Sequence, residues 1–324
     1  MAKAMATPRT WWLRIRLWFL LTVLFGITYG LVSVVSYILG IGNLIFYGVV
    51  AIGFILLQYM IGPSIVNWTM RVKYVDEKEE PELHKMIEEL AKEAGLPKPR
   101  IGISQTLIPN AFAFGRWKSD GRICVTQGIL KLLDKKELRA VLGHEMSHLK
   151  HRDVVVITLL SVIPLICWFL ARGTLFSGSD RKGAAATIGI FAFVLYFITN
   201  LLVLYASRIR EYYADAGSVS LGNEPHSLAS ALYKLVYGAA KTPPQMLKQV
   251  EGMKAFFAND VSRAHDEIIA LNELDVDKSG TLDANEIALL KKKHIRLSLL
   301  DKLMELMSTH PNMLKRIQAL AEMK

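Results

Sequence analysis

His144-Glu145-Met146-Ser147-His148 sets two imidazoles four residues apart with a carboxylate between them. On a helix that spacing puts both rings on one face, one turn apart, where their nitrogens can grip a single zinc ion. Glu145 then projects beside the ion, where it can take the proton of a metal-activated water. The chemistry implied is zinc-assisted hydrolysis of a peptide bond. A structural zinc site would close its fourth position with another Cys or His, whereas a catalytic one leaves it open for water.

Two histidines leave the geometry of a zinc ion undefined, so a third ligand is needed. A glycine three residues after His148 and a histidine three further on would extend the motif, but His151 and Val154 stand there. His151 is about 10 Å in rise from His144, too far along the axis to share the ion. The better candidate lies in Ser207-Arg208-Ile209-Arg210-Glu211-Tyr212-Tyr213-Ala214-Asp215. Glu211 and Asp215 form an i, i+4 pair on one helix face, so one carboxylate can bind the ion while the other accepts a histidine ring N–H.

These residues need rigid elements. Asp134 and Glu137 read as an N-cap and capping box opening a helix over 135–150. Ahead of it, Pro81 and the apolar spacing of Leu83, Met86, Ile87, Leu90 and Ala94 predict a helix over 79–94, stopped by Gly95 and Pro97. Strands are predicted at 100–104, 110–115 and 122–126, with Asp120-Gly121 as a turn before the last. The middle strand matters most. Asn110, Ala111, Phe112 and Ala113, on an edge beside the zinc helix, would offer backbone N–H and C=O groups to an extended peptide.

No charged residue occurs between Arg16 and Arg71, a run of 54 residues broken only by the turn-like Gly40-Ile41-Gly42-Asn43. Segments 17–39 and 44–66 are each long enough to cross a bilayer, and a second apolar pair, 154–171 and 183–206, follows the zinc helix. The first is too long for a signal peptide and lacks a small-residue cleavage site, so it reads as a retained anchor. Lys3, Arg9, Arg14 and Arg16 place the N-terminus and the zinc helix on the cytoplasmic side. The loop carrying Arg172, Arg181 and Lys182 runs against that rule. However, His148 and Glu211 can share one ion only if the chain crosses the membrane an even number of times between them.

A net charge of +10 comes with no aromatic-basic RNA motif or zinc-finger spacing, so anionic lipid headgroups, not nucleic acid, account for it. With only Cys124 and Cys167, neither a disulfide framework nor a cysteine zinc site is expected. Residues 275–286 carry oxygen ligands at loop positions one, three, five, nine and twelve (Asp275, Asp277, Ser279, Asp283, Glu286), glycine at six, and the Thr281 carbonyl at seven. This resembles an EF-hand calcium loop, with stretches 264–274 and 287–293 as its flanking helices.

Taken together, the chain resembles the HtpX-type membrane zinc metalloproteases of bacteria and archaea. The resemblance rests on the N-terminal apolar hairpin, Pro81-Glu82-Leu83-His84, Pro109-Asn110-Ala111-Phe112-Ala113, the HExxH helix, the second hairpin, Ser207-Arg208 with Glu211 and Ala214-Asp215, and Thr309-His310-Pro311 before Arg316. It implies that His144, His148 and Glu211 bind zinc, that Glu145 is the general base, that residues 110–114 lie near the substrate, and that membrane or misfolded proteins are cleaved in quality control. The oxyanion stabiliser stays open among His310, Tyr212 and Tyr213.

The expected architecture is a mainly α, multi-pass protein of the cell membrane. A cytoplasmic basic N-terminus (1–16) leads to hairpin 17–66, a catalytic part (67–153), hairpin 154–206, and a cytoplasmic part (207–324) that supplies the third ligand. The four membrane helices carry a zincin-like α+β catalytic domain with a short edge-stranded sheet. A non-catalytic membrane adaptor or calcium sensor is the alternative from another class, though it has no chemical need for Glu145. A prenyl-protein peptidase would use the same zinc chemistry.

Overall fold

A computed structural model describes residues 44–153, 182–240, 274–290 and 299–323, with Leu271 and scattered positions between 155 and 171. The expected first span (17–39), the basic N-terminus, the loop 172–181 and the flanking stretch 264–270 lie outside the described residues. Two compact units emerge. Among the described residues one comprises 63–153 and 208–323, the other 44–62 and 155–207.

The first unit holds every candidate site residue and is mostly helical around a small sheet. Helix α1 (Leu44–Thr69) leads into strand β1 (Val72–Tyr74) and helix α2 (Pro81–Ala94). Proline at the first turn of α2 and a left-handed Gly95 after its last residue bound it, as the sequence predicts, and Leu83, Ile87, Leu90, Ala91 and Ala94 form its buried stripe. Strands β2 (Arg100–Ser104), β3 (Ala111–Phe114) and β4 (Arg122–Thr126) follow, then helix α3 (Gln127–Leu132) and helix α4 (Lys135–His151).

The sheet runs β1-β2-β4-β3, with β2 and β4 parallel and both outer pairs antiparallel. The three predicted strands are present; β1 and the short helix α3 are additions. Pairing of Ala111 with Val125 and of Phe114 with Arg122 leaves β3 on one edge. Alternation along β3 sorts its residues by size. Phe112 and Phe114 cluster with Val66, Met70 and Cys124, while Ala111 joins the main core and Ala113 packs against it.

Helix α5 (Lys182–Ser220) carries Glu211 and Asp215. Helices α6 (Pro225–Ala240), α7 (Ala284–Leu290), α8 (Leu299–Leu306) and α9 (Met313–Glu322) complete the described residues. Leu228, Leu232, Leu235, Val236, Ile287, Ile317 and Leu320 join Leu142 and Met146 of α4 in the main core. The HExxH helix therefore shares its core with helices that follow it in the chain.

Among the described residues one helix, Ala186–Ser220, is long and apolar enough to cross a membrane. Ile190, Phe191, Phe193, Val194, Phe197 and Ile198 on it are exposed, as are Leu56, Leu57, Met60, Ile61 and Ile65 on α1. Apolar exposure on this scale is costly in water and suits lipid.

Candidate active site

Helix α4 begins where the capping logic requires. The Asp134 side chain accepts from the Lys136 and Glu137 amides, and the Glu137 carboxylate accepts from the Asp134 N–H at 3.0 Å. Three turns on, His144, Glu145 and His148 project from the helix. The two imidazoles stand nearly perpendicular, at 88°, with their Nε2 atoms 3.2 Å apart. Glu211 Oε2 lies 3.6 Å from His144 Nε2 and Oε1 lies 3.6 Å from His148 Nε2.

That triangle fits zinc. Two nitrogens held about 2.05 Å from a tetrahedral ion stand about 3.3 Å apart, close to the separation of the two Nε2 atoms. The ligand atoms of His144, His148 and Glu211 all lie within 4.8 Å of one another. His151 lies elsewhere: its Nδ1 meets the Ser147 carbonyl at 2.9 Å, as the rise along the helix predicts.

Small residues let the two ligand-bearing helices approach. A Cβ at Gly217 would stand 2.0 Å from Ser147 Oγ, and one at Gly143 would stand 2.3 Å from Asn223 Nδ2. Ser218 Oγ donates to the Ala140 carbonyl at 2.6 Å, tying α5 to α4 at the same crossing. The HExxH spacing sets where the histidines sit on their helix; this contact sets how far Glu211 stands from them.

Arg316 of α9 is fully buried and serves both carboxylates of α5. Its Nε and NH2 donate to Asp215 at 2.9 and 2.6 Å, and its NH1 lies 3.0 Å from Glu211 Oε2. Asp215 Oδ1 lies in turn 2.9 Å from His144 Nδ1, the ring nitrogen facing away from the ligand triangle. Burial opposes the charged forms of Glu211 and Asp215, but Arg316 together with His144, and at Glu211 also His310, outweighs it and holds Asp215 below, and Glu211 well below, the ordinary carboxylate range. Burial likewise opposes a charged His144, yet its bonds with Asp215 and Glu211 raise it to about 9. His148 goes the other way, lowered by burial and by the neighbouring His144.

Glu145 is buried, and its carboxyl is pushed up by burial, partly offset by His148 and His144. The Ala113 backbone N–H hydrogen-bonds it. The free edge of β3 therefore faces the general-base candidate. Asn110, fully buried, joins β3 to the end of β4: its N–H donates to Thr126 Oγ1 and its carbonyl accepts from the Thr126 N–H, both at 2.9 Å.

His310 reaches the same cluster from the C-terminal segment. Its Nδ1 lies 3.6 Å from Glu211 Oε2, and both ring nitrogens are buried without a hydrogen-bond partner. Arg208 places it: NH1 donates to the Glu305, Leu306 and Ser308 carbonyls, capping α8 just before the turn that bears His310. Tyr213 stacks by Arg210 and His151, and Tyr212 is raised by burial and by Glu305 and Asp215.

The model of peptidase family M48 matches residues 77–324, a stretch that contains all of these side chains. The chain belongs to peptidase family M48. A protease HtpX homolog of Methanothermobacter thermautotrophicus is 56% identical over 227 residues, 70% of this chain and 87% of that one. A protease HtpX homolog of Thermoplasma volcanium is 34% identical over 305 residues, 88% of this chain and 94% of the relative. The crystal structure of S. mikatae Ste24p superposes with a TM-score of 0.50 at 16% identity, covering 94% of this chain and 67% of that one, a likeness of fold. This M48 peptidase is thus a membrane-bound zinc metalloendopeptidase of the HtpX type, as the resemblance implies.

Within the expected calcium loop of the M48 chain, Asp275, Asp277 and Glu286 bring ligand atoms within 4.8 Å of one another. Gly280 has φ +78°, the left-handed turn that position six of such a loop demands. Asp283 stands outside that group: its Oδ1 accepts from the Glu286 N–H at 2.8 Å while Glu286 Oε2 accepts from the Asp283 N–H at 3.0 Å, a capping box for α7. The Ser279 hydroxyl donates to the Thr281 carbonyl at 3.2 Å.

Three buried residues went unassigned in the sequence reading. Arg316 and Arg210 entered only as members of quoted stretches, and Asp153 not at all. The local signal available for Asp153 was an acid just past a helix that ends in two basic residues; nothing local pairs it with an arginine 57 positions away.

Proposed function

We propose that His144, His148 and Glu211 hold the zinc ion of this endopeptidase, with Glu145 as general base and Asp215 orienting His144. The single observation that carries this reading is the convergence of both Nε2 atoms and the Glu211 carboxylate, with Glu145 buried beside the free edge of β3. Bound zinc supplies Lewis acidity, which polarises the scissile carbonyl and acidifies a water. A substrate in extended form lies along β3, drawing on the N–H and C=O groups between Asn110 and Phe114. Glu145 takes the proton of the attacking water on its carboxylate and delivers it to the leaving amine. Its raised pKa suits both halves of that task. His310, with two unpartnered ring nitrogens at the cluster, donates to the developing oxyanion.

The protein substrates are membrane or misfolded proteins, and the role is quality control. Support comes from the position of Glu211, a few residues beyond an apolar segment on the same helix. Four spanning helices with the zinc site facing the cytoplasm follow from the apolar pairs and the basic N-terminus. The loop 275–286 takes calcium through Asp275, Asp277 and Glu286, with Ser279, Thr281 and Asp283 completing the shell. The deciding experiment is purification in detergent, metal analysis, and cleavage of casein by wild type beside Glu145→Gln. Wild type holds one zinc and cleaves. An active Glu145→Gln protein removes Glu145 from its role, and a wild type that cleaves without metal removes the zinc reading.

A further inference from the structure

His144 is backed by Asp215, and Asp215 by Arg316. His148 has a second set of the same kind. Its Nδ1 lies 2.6 Å from Asp153 Oδ2, and Asp153 Oδ1 is paired with Arg210 NH2. Asp153 and Arg210 are both buried, at 7% exposure each. Helix α4 ends at His151 and is capped by Arg152, whose left-handed φ of 56° turns the chain, and the Asp153 carboxylate lies against His148 of the last turn. Arg210 also donates from NH2 to the His151 carbonyl at 3.1 Å, gripping the same helix end. It immediately precedes Glu211, so one guanidinium joins the carboxylate behind His148 to the residue that faces His148 from the other side.

We propose that Asp153 is a positioning residue for the metal site: it accepts the Nδ1–H of His148, turning Nε2 toward His144 and Glu211, and Arg210 holds the Asp153 carboxylate in place. The inference rests on the zinc reading given above. The physical case is the geometry of the ring. An imidazole can rotate about its side-chain bonds unless its second nitrogen is tied, and a carboxylate on Nδ1 selects the tautomer whose Nε2 carries the free lone pair. A lone surface ion pair at a helix end would do neither, because it would leave His148 untouched. Here Asp153 meets the ring with one oxygen and the arginine with the other. The site is then two parallel relays, His144-Asp215-Arg316 and His148-Asp153-Arg210, each fixing one nitrogen ligand.

The test compares zinc affinity, by competition with a chromophoric chelator, for the full chain in detergent. The variants are Asp153→Asn, the paired Asp153→Leu/Arg210→Met, and His148→Ala. The paired variant replaces a buried ion pair with apolar side chains of similar volume, which such sites often tolerate in stability. Its zinc dissociation constant should rise roughly 10- to 100-fold, with the metal-free thermal midpoint close to wild type, and Asp153→Asn should fall between the two. Cobalt-loaded protein supplies a second reading. Its d–d absorption bands report the ligand field, and they should shift in Asp153→Asn, which a merely structural role would not cause. If His148→Ala loses zinc while both Asp153 variants bind within about twofold of wild type with unshifted cobalt bands, Asp153 is a helix-end ion pair only and the proposal is overturned. If His148→Ala binds as tightly as wild type, the zinc reading itself has failed.

Discussion

Glu145 and its neighbours divide metal holding from proton transfer. Glu145→Gln keeps the shape of the side chain and touches no ligand, so zinc content should stay near one per chain while hydrolysis falls by at least about two orders of magnitude. Metal analysis beside a casein assay reads both. His144 sets a pH dependence of two opposite signs. In the metal-free protein its pKa is raised from 6.5 to about 9, so the charged ring stabilises that fold fully below 6.5 and the contribution is lost as pH rises through about 9. Zinc needs the neutral ring, so it must displace that proton, and apparent zinc affinity should climb between pH 7 and 9 while the metal-free midpoint declines. Chelator competition and thermal melts at the two pH values check both trends. Arg316→Met removes the guanidinium shared by two buried carboxylates, at a cost of about 3–5 kcal/mol. Thermal unfolding of the metal-free protein should show it as the most damaging single change in the cluster.

At the scale of elements, the crossing of α4 and α5 and the edge of β3 are the two placements that matter. Gly217→Val would drive a branched side chain into Ser147, where even a Cβ stands 2.0 Å from Oγ. The helices must part and Glu211 recede, so zinc affinity should drop at least tenfold in protein that still folds, as chelator competition would show. Ala113→Pro removes the N–H that bonds Glu145 and stiffens the strand, so cleavage should fall with zinc retained. The structure adds a second cause to that loss: besides a substrate contact, the general base itself is freed.

Across the whole molecule, distant segments meet at the two ends of α4. Leu282 in the loop donates its N–H to Ser230 Oγ at 3.2 Å, and Ser230 donates to Glu137 Oε1 at 2.7 Å, in the capping box of the HExxH helix. Lys234 Nζ adds a 2.8 Å bond to Glu137 Oε2. Calcium at Asp275, Asp277 and Glu286 would therefore be felt at the start of the helix bearing His144. Glu286→Gln removes the bidentate carboxylate of loop position twelve, so calorimetry should show weakened calcium binding with zinc content unchanged. A calcium-dependent change in casein cleavage by wild type that Glu286→Gln abolishes would make the loop a switch. Cleavage indifferent to calcium would make it a staple.

What the sequence determined by itself is what short-range periodicity encodes. The pair His144 and His148, the capping box at Asp134, the helix from Pro81 to Gly95 and the three strands at 100–104, 110–115 and 122–126 all follow from spacings of two or of about 3.6 residues and from local turn chemistry. Glu211 was legible as well, because a site with two histidines needs a carboxylate and the i, i+4 acidic pair offers one. The tertiary structure alone decided that β4 lies between β2 and β3, which leaves β3 at the edge beside Glu145. It also decided that Asp215 serves His144 while Asp153 serves His148, and that Arg316, 101 residues beyond Asp215, locks both acids of α5. Those pairings join residues that share no helix turn or strand register. They arise only where packed elements bring buried charges together, and a buried charge is stable only beside its partner.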